Sequence, residues 1–174
     1  GNAPISTATI PPVEILEAAY PIFFTQWALR SDSGGPGRHR GGLGAVYEIE
    51  LLEHNADVFL VGERGRYPPR GVAGGSDGAL NKFVYEQADG DHEPPMTSKM
   101  VGIKITKGQR LHLETPGGGG YGLALERAPE AVARDVALGY VTPEGAARDY
   151  AVAVAEDGSV DVTATNTMRS GMAQ

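Results

Sequence analysis

Three glycine clusters constrain this chain more than any other feature of it. The first is Arg30-Ser31-Asp32-Ser33-Gly34-Gly35-Pro36-Gly37-Arg38-His39-Arg40-Gly41-Gly42-Leu43-Gly44. The second is Pro68-Pro69-Arg70-Gly71-Val72-Ala73-Gly74-Gly75, and the third Thr115-Pro116-Gly117-Gly118-Gly119-Gly120-Tyr121-Gly122. They hold much of the chain's 25 glycines and read as loops. A glycine lets another backbone or a ligand come close, and a run of them can turn successive N–H groups inward as an anion-binding nest. Arg38 and Arg40 add guanidinium groups able to hold a carboxylate or phosphate by paired hydrogen bonds. The same residues are equally readable as corners between strands.

What the loops connect is legible from alternation. Tyr47, Ile49 and Leu51 alternate with Glu48 and Glu50 within Gly44–Leu52, as on an antiparallel strand with one packed and one wet face. Phe24–Arg30, Ala56–Arg64, Leu80–Gln87, Met100–Thr106 and Arg110–Thr115 are further strands, with a turn at Lys107-Gly108. Trp27 reads as a core residue. After Tyr121 the pattern changes. Pro129-Glu130 opens a helix that Gly139 stops, and Thr142-Pro143-Glu144 opens a second. Ala151–Ala155 and Val160–Thr165 around Asp157-Gly158 predict a hairpin, and the last eight residues a frayed tail.

The predicted fold is α+β and mainly β: an antiparallel sandwich or barrel-like domain, then one or two short helices and a hairpin. The expected division is an extended lead-in over 1–12, a glycine-loop β domain over 13–122 and a helix-hairpin extension over 123–174. The start at Gly1 without Met reads as a processed or trimmed chain.

Several functions are excluded. A net charge of −7 argues against a nucleic-acid surface. With no cysteine there is no disulfide, thiolate zinc site or cysteine nucleophile, which fits a cytoplasmic location. No signal peptide and no apolar run of bilayer-spanning length is visible, so no membrane partner is expected. Gly117, Gly119 and Gly122 match G-x-G-x-x-G in form only. A dinucleotide fingerprint opens directly into a helix, whereas here the helix begins at Pro129. There is no G-K-[ST], hence no P-loop. His39, His54, His92 and His112 are dispersed, and no metal site is expected from this chain. Asp32-Ser33 offers a nucleophile or a substrate hydrogen bond, or alternatively a turn cap, and Ser33 lacks the G-x-S-x-G elbow. No self-sufficient catalytic set emerges, and the catalytic residues stay unassigned. With aromatic residues at 7%, a sugar-binding β module is a distant reading.

The first cluster resembles the R-x-D-S-G-G-x-G-x-x-R-G-G-x-G signature of hydantoinase B/5-oxoprolinase proteins, read from Arg30 to Gly44. Pro116 to Gly122, then Glu126-Arg127-Ala128-Pro129-Glu130-Ala131-Val132 and Asp135-Val136, resemble the family's second signature. Gly139-Tyr140-Val141-Thr142-Pro143-Glu144 and Ala147-Arg148-Asp149-Tyr150 continue it. Val13-Glu14-Ile15-Leu16-Glu17 and the Pro69, Gly71, Gly74, Gly75 element are similar too. The chain departs from the family at Leu123-Ala124, where Asp-Pro is usual, at Arg70 in place of Trp, and at Ala128 in place of a capping Asp.

The resemblance covers the C-terminal portion of a longer subunit. It implies an ATP-dependent cyclic-amide hydrolase of the N-methylhydantoinase/5-oxoprolinase type, built from A-type and B-type components. The alternatives on the same scaffold are an acetone/acetophenone-type carboxylase subunit and a non-catalytic assembly domain. The partners implied are the ATP-binding A-type component, the remainder of the B-type subunit and a small-molecule substrate. ATP and a divalent metal are expected mainly on the A-type component. Asp32, Ser33, Gly34, Gly35, Gly37, Arg38, Arg40, Gly117, Gly118, Gly119, Gly120 and Tyr121 are the candidate residues for binding substrate or intermediate.

Overall fold

The alternation in Ala45–Leu51 (β2) places Leu51 in a core at 4% exposure while Glu48 and Glu50 stay on the outer face. A computed structural model describes residues 11–172, and the lead-in expected over 1–12 lies, but for its last two residues, outside the described residues. β2 pairs antiparallel with Ile22–Leu29 (β1) on one side and Arg110–Glu114 (β7) on the other. Beyond β7 lie Lys82–Gln87 (β4) and Gly90–His92 (β5), giving an antiparallel five-stranded sheet in the order β1-β2-β7-β4-β5. Asn55–Val61 (β3) and Lys99–Thr106 (β6) form a separate antiparallel pair.

The two sheets pack face to face through side chains. Leu51 and Phe83 of the large sheet meet Leu60, Ile103 and Ile105 of the small one, all at 9% exposure or less. Around these pack Leu111, Leu113 and Tyr85. At one corner the chain passes between the sheets twice, where Lys107 N donates to His54 O (3.0 Å) and Gly108 N to Leu51 O (2.7 Å). The result is a lopsided sandwich with no closed barrel.

Three details differ from the sequence reading. Trp27 is 41% exposed and stacks on Tyr47 at 4.9 Å instead of entering the core, because the small sheet does not cover that end of β1. Val13–Ala19 forms a helix (α1), tied to β1 by Phe24 N donating to Glu17 Oε1 at 2.8 Å. The predicted hairpin shrinks to a turn at Asp157-Gly158 with one bridge, Val154 to Val160. Asp161 then accepts from Ala164 N (2.9 Å), and this cap starts a helix over Val162–Met172 (α4) where a strand and a tail were expected. The other two helices are where the sequence puts them: Pro129–Ala137 (α2) and Pro143–Tyr150 (α3). They form a second core around Val132, Val141, Ala146, Tyr150 and Val152, each at 4% exposure or less.

Candidate functional site

The three glycine clusters, far apart in sequence, are one body in space, and it is made of main chain. Gly35 N donates to Gly118 O (2.8 Å), Gly118 N to Gly42 O (2.8 Å) and Gly120 N to Ser76 O (2.9 Å). Ser76 N donates to Pro36 O (2.7 Å), and Val72 N to Gly120 O (2.8 Å). Tyr121 and His39 exchange both backbone bonds at 2.9 Å. At most of these glycines the facing backbone leaves no room for a Cβ. One added at Gly41 would collide with Gly118 O, at Gly75 with Gly120 O, at Gly117 with Ser33 O, and at Gly119 with Arg70 O. Of the glycines in the clusters, only Gly74 and Gly122 carry the left-handed φ that itself favours glycine (90° and 74°). Close approach of backbones is therefore the main reason for the glycine here.

That packing determines what the candidate residues face. The N–H groups of Gly35, Gly41, Gly118, Gly120 and Gly122 donate to carbonyls inside the stack. Gly34, Gly35, Gly37, Gly117 and Gly120 are buried, and Gly118 and Gly119 half-buried. Ser33 is 1% exposed; its Oγ donates to Arg30 O (2.6 Å) and accepts from Gly44 N (2.8 Å). Asp32 sits at φ 57° and turns its carboxylate to the start of α3. Its Oδ1 accepts from Thr142 N (2.9 Å) and its Oδ2 from Thr142 Oγ1 (2.6 Å). Thr142 in turn caps α3 through Gly145 N (2.9 Å). A carboxylate at a helix N-terminus is favourably placed for the helix dipole. Gly145 is needed because a Cβ there would collide with the Asp32 carboxylate.

The two arginines part company. Arg40 is largely buried: Nε donates to Asp135 Oδ2 (3.1 Å), Nη1 to Gly41 O (2.7 Å), and the guanidinium lies 5.3 Å from the Tyr140 ring centroid. Asp135 also receives Arg127 Nη2 at 2.8 Å, so two guanidiniums share one carboxylate oxygen. Arg38 is half exposed, with Glu126 at 3.8 Å as its ion-pair partner. Beside it stand the exposed His39 and Tyr121, whose rings are 6.1 Å apart. The outward face of the stack is thus Arg38, His39 and Tyr121, while Asp32 and Arg40 fasten it to the helices and Ser33 ties the two ends of the first cluster together.

Arg127, Asp135 and Tyr150 are participants that composition and spacing did not single out, whereas Thr142 is the helix cap the sequence predicts. Tyr150 is 1% exposed, and its hydroxyl has no hydrogen-bond partner among the described residues. Burial pushes its pKa up to about 12, against the pull of Arg127 and Arg40. Among the described residues no three His, Asp or Glu side chains gather closely enough to hold a metal ion. No described helix is long and apolar enough to cross a membrane.

Comparison with known proteins agrees with the loop signatures. A model of the hydantoinase B/oxoprolinase family matches residues 1–124. The chain is 33% identical to caprolactamase subunit beta of Pseudomonas jessenii over 162 residues, 91% of this chain and 28% of that one. It is 37% identical to 5-oxoprolinase 1 of Arabidopsis thaliana over 109 residues, 63% of this chain and 8% of that one. In structure it resembles the ATP-dependent caprolactamase from P. jessenii with a TM-score of 0.79 at 30% identity, covering 91% of this chain and 28% of that chain. It also has the fold of part of nucleotide-free acetone carboxylase, with a TM-score of 0.72 at 24% identity, covering 95% and 26%. The chain therefore spans about a quarter of the caprolactamase subunit it matches.

Proposed function

We propose, from the premise that this chain belongs to the hydantoinase B/oxoprolinase family, that it is the C-terminal part of a B-type subunit of an ATP-dependent cyclic-amide hydrolase. The observation that carries this reading is the likeness to caprolactamase subunit beta across nine-tenths of the chain. The carboxylase alternative has fold similarity alone behind it. The enzyme is proposed to work with an A-type component that binds ATP, in the cytoplasm where ATP is at hand. The described residues do not fit a metal.

In the proposed reaction the amide oxygen is phosphorylated, water attacks the carbonyl carbon, the ring C–N bond breaks and the nitrogen takes up a proton. That leaves an acyl phosphate, which a second water hydrolyses to phosphate and the ring-opened amino acid. This chain's part is to present Arg38 and Tyr121 to the phosphorylated or carboxylate species from a frame that does not move. A guanidinium fixed where negative charge develops lowers the barrier without reorganising. Asp32, Ser33, Arg40 and the glycines of the stack are positioning residues, since each holds the frame.

The test uses the complete B-type subunit with its A-type component, supplied with ATP and ε-caprolactam, hydantoin or 5-oxoproline. Ring-opened product and ADP, formed equally with and without bicarbonate, are expected. A carboxylated product that requires bicarbonate would transfer the chain to the carboxylases. Arg38→Ala is expected to lower kcat/KM by about tenfold or more at an unchanged melting temperature. Turnover equal to the parent's would remove Arg38 from the site.

A further inference from the structure

The loop leaving β3 and the loop entering β6 face each other across a cleft of about 730 Å³ that the glycine stack does not use. That volume lies within the range of small-molecule sites, roughly 300–1,000 Å³. Its charges do not balance. Glu63 pairs with Lys99 at 2.7 Å, whereas Arg64 and Arg66 line the same cleft with no salt bridge among the described residues. Arg64 is held at φ 67°, a region a long side chain rarely adopts. Arg66 is laid over the Tyr67 ring, 5.5 Å from its centroid. Tyr67 and Met96, 68% and 65% exposed, give the cleft an apolar wall. Ser98, also lining it and 9% exposed, has a hydroxyl with no partner among the described residues.

We propose that this cleft binds a small organic anion, its carboxylate or phosphate head on Arg64 and Arg66 and its apolar body against Tyr67 and Met96. Two unpaired guanidiniums supply a planar, multidentate receptor for such a head group. The proposal is independent of the hydrolase reading and of the glycine stack.

The test is an NMR titration of the 174-residue chain with hexanoate, its neutral isostere hexanamide, and inorganic phosphate. Hexanoate is expected to shift the amides of Gly65, Thr97 and Lys99 saturably, at least tenfold more tightly than hexanamide. Arg64→Gln with Arg66→Gln is expected to weaken hexanoate tenfold or more. Arg64→Gly, which suits the left-handed backbone, serves if the glutamine variant loses its fold. Phosphate binding at the same amides more tightly than hexanoate marks the phosphate head as preferred, and the reverse marks the carboxylate; either supports the proposal. No saturable shift with either anion, equal affinity for hexanoate and hexanamide, or unchanged binding in the folded arginine variants overturns it.

Discussion

Around Phe83 and Ile103 the sandwich is held by interlocking side chains, while around Gly41 and Gly118 the space between segments is filled by main chain alone. The two regions share the chain but obey opposite rules. A side-chain core tolerates exchange of one hydrophobe for another of similar volume at modest cost. A backbone core has no side chain to repack, so a single methyl has nowhere to go. Its cohesion comes from hydrogen bonds between loops, and those bonds fix the frame that carries its outward side chains. For a proposed site that has to present Arg38 and Tyr121 at fixed positions, that rigidity is the useful property.

The sharpest way to break the contrast is Gly117→Ala, whose Cβ would collide with Ser33 O. A loss of about 3 kcal/mol or more is expected from such overpacking, read as a lower urea midpoint. A loss below about 1 kcal/mol would mean the stack relaxes like an ordinary loop. Next is Asp32→Ala, which removes the acceptor of both Thr142 bonds and puts alanine at φ 57°. About 2 kcal/mol is expected, because bonds to a charged group contribute about 1.5–3 kcal/mol. Asp32→Asn, which tolerates left-handed backbone, should lose less. On the sandwich side, Ile103→Val in a 2%-exposed site should cost about 1 kcal/mol.

The smallest effect at neutral pH belongs to Tyr150→Phe. The hydroxyl it removes is buried and unpaired, so stability at pH 7 should be unchanged within about 0.5 kcal/mol or slightly improved. Alkaline pH separates the two proteins. Burial raises the folded-state pKa from the ordinary 10 to about 12. The neutral phenol therefore favours the fold fully below pH 10, and that advantage is lost as pH rises through 12. The phenylalanine variant should lack this part of the decline, measured by urea melts at pH 9 and pH 11. Identical slopes for both proteins would place the titrating group elsewhere.

Most of the sheet was legible because alternation writes itself into sequence: Tyr47, Ile49 and Leu51, and the turn at Lys107-Gly108, lie where the pattern puts them. The C-terminal helix was not. Val160, Val162, Thr163 and Thr165 are β-branched and look like a strand, and the decisive signal was the cap from Asp161. The loops were legible as special but not as partners, since a run of glycines carries no mark of what packs on it. The same distance hid the engagement of Asp32 and Arg40, whose partners Thr142 and Asp135 stand 110 and 95 residues further along. Local reading saw a charged, glycine-rich loop inviting a ligand, while the fold had already supplied partners for its charges: Glu114 for Arg30, Thr142 for Asp32, Asp135 for Arg40 and, at 3.8 Å, Glu126 for Arg38.

Two neighbouring positions show whether backbone contact requires these glycines. A Cβ at Gly41 would collide with Gly118 O, whereas one at Gly42 meets nothing within 4 Å, and neither residue has left-handed backbone. Gly41→Ala and Gly42→Ala are to be compared by thermal unfolding. Gly41→Ala should melt about 6–12 °C lower than the parent, or fail to fold, taking about 3 kcal/mol at about 2–4 °C per kcal/mol. Gly42→Ala should stay within about 2 °C of the parent or rise slightly. Equal melting temperatures for the two variants would contradict that requirement.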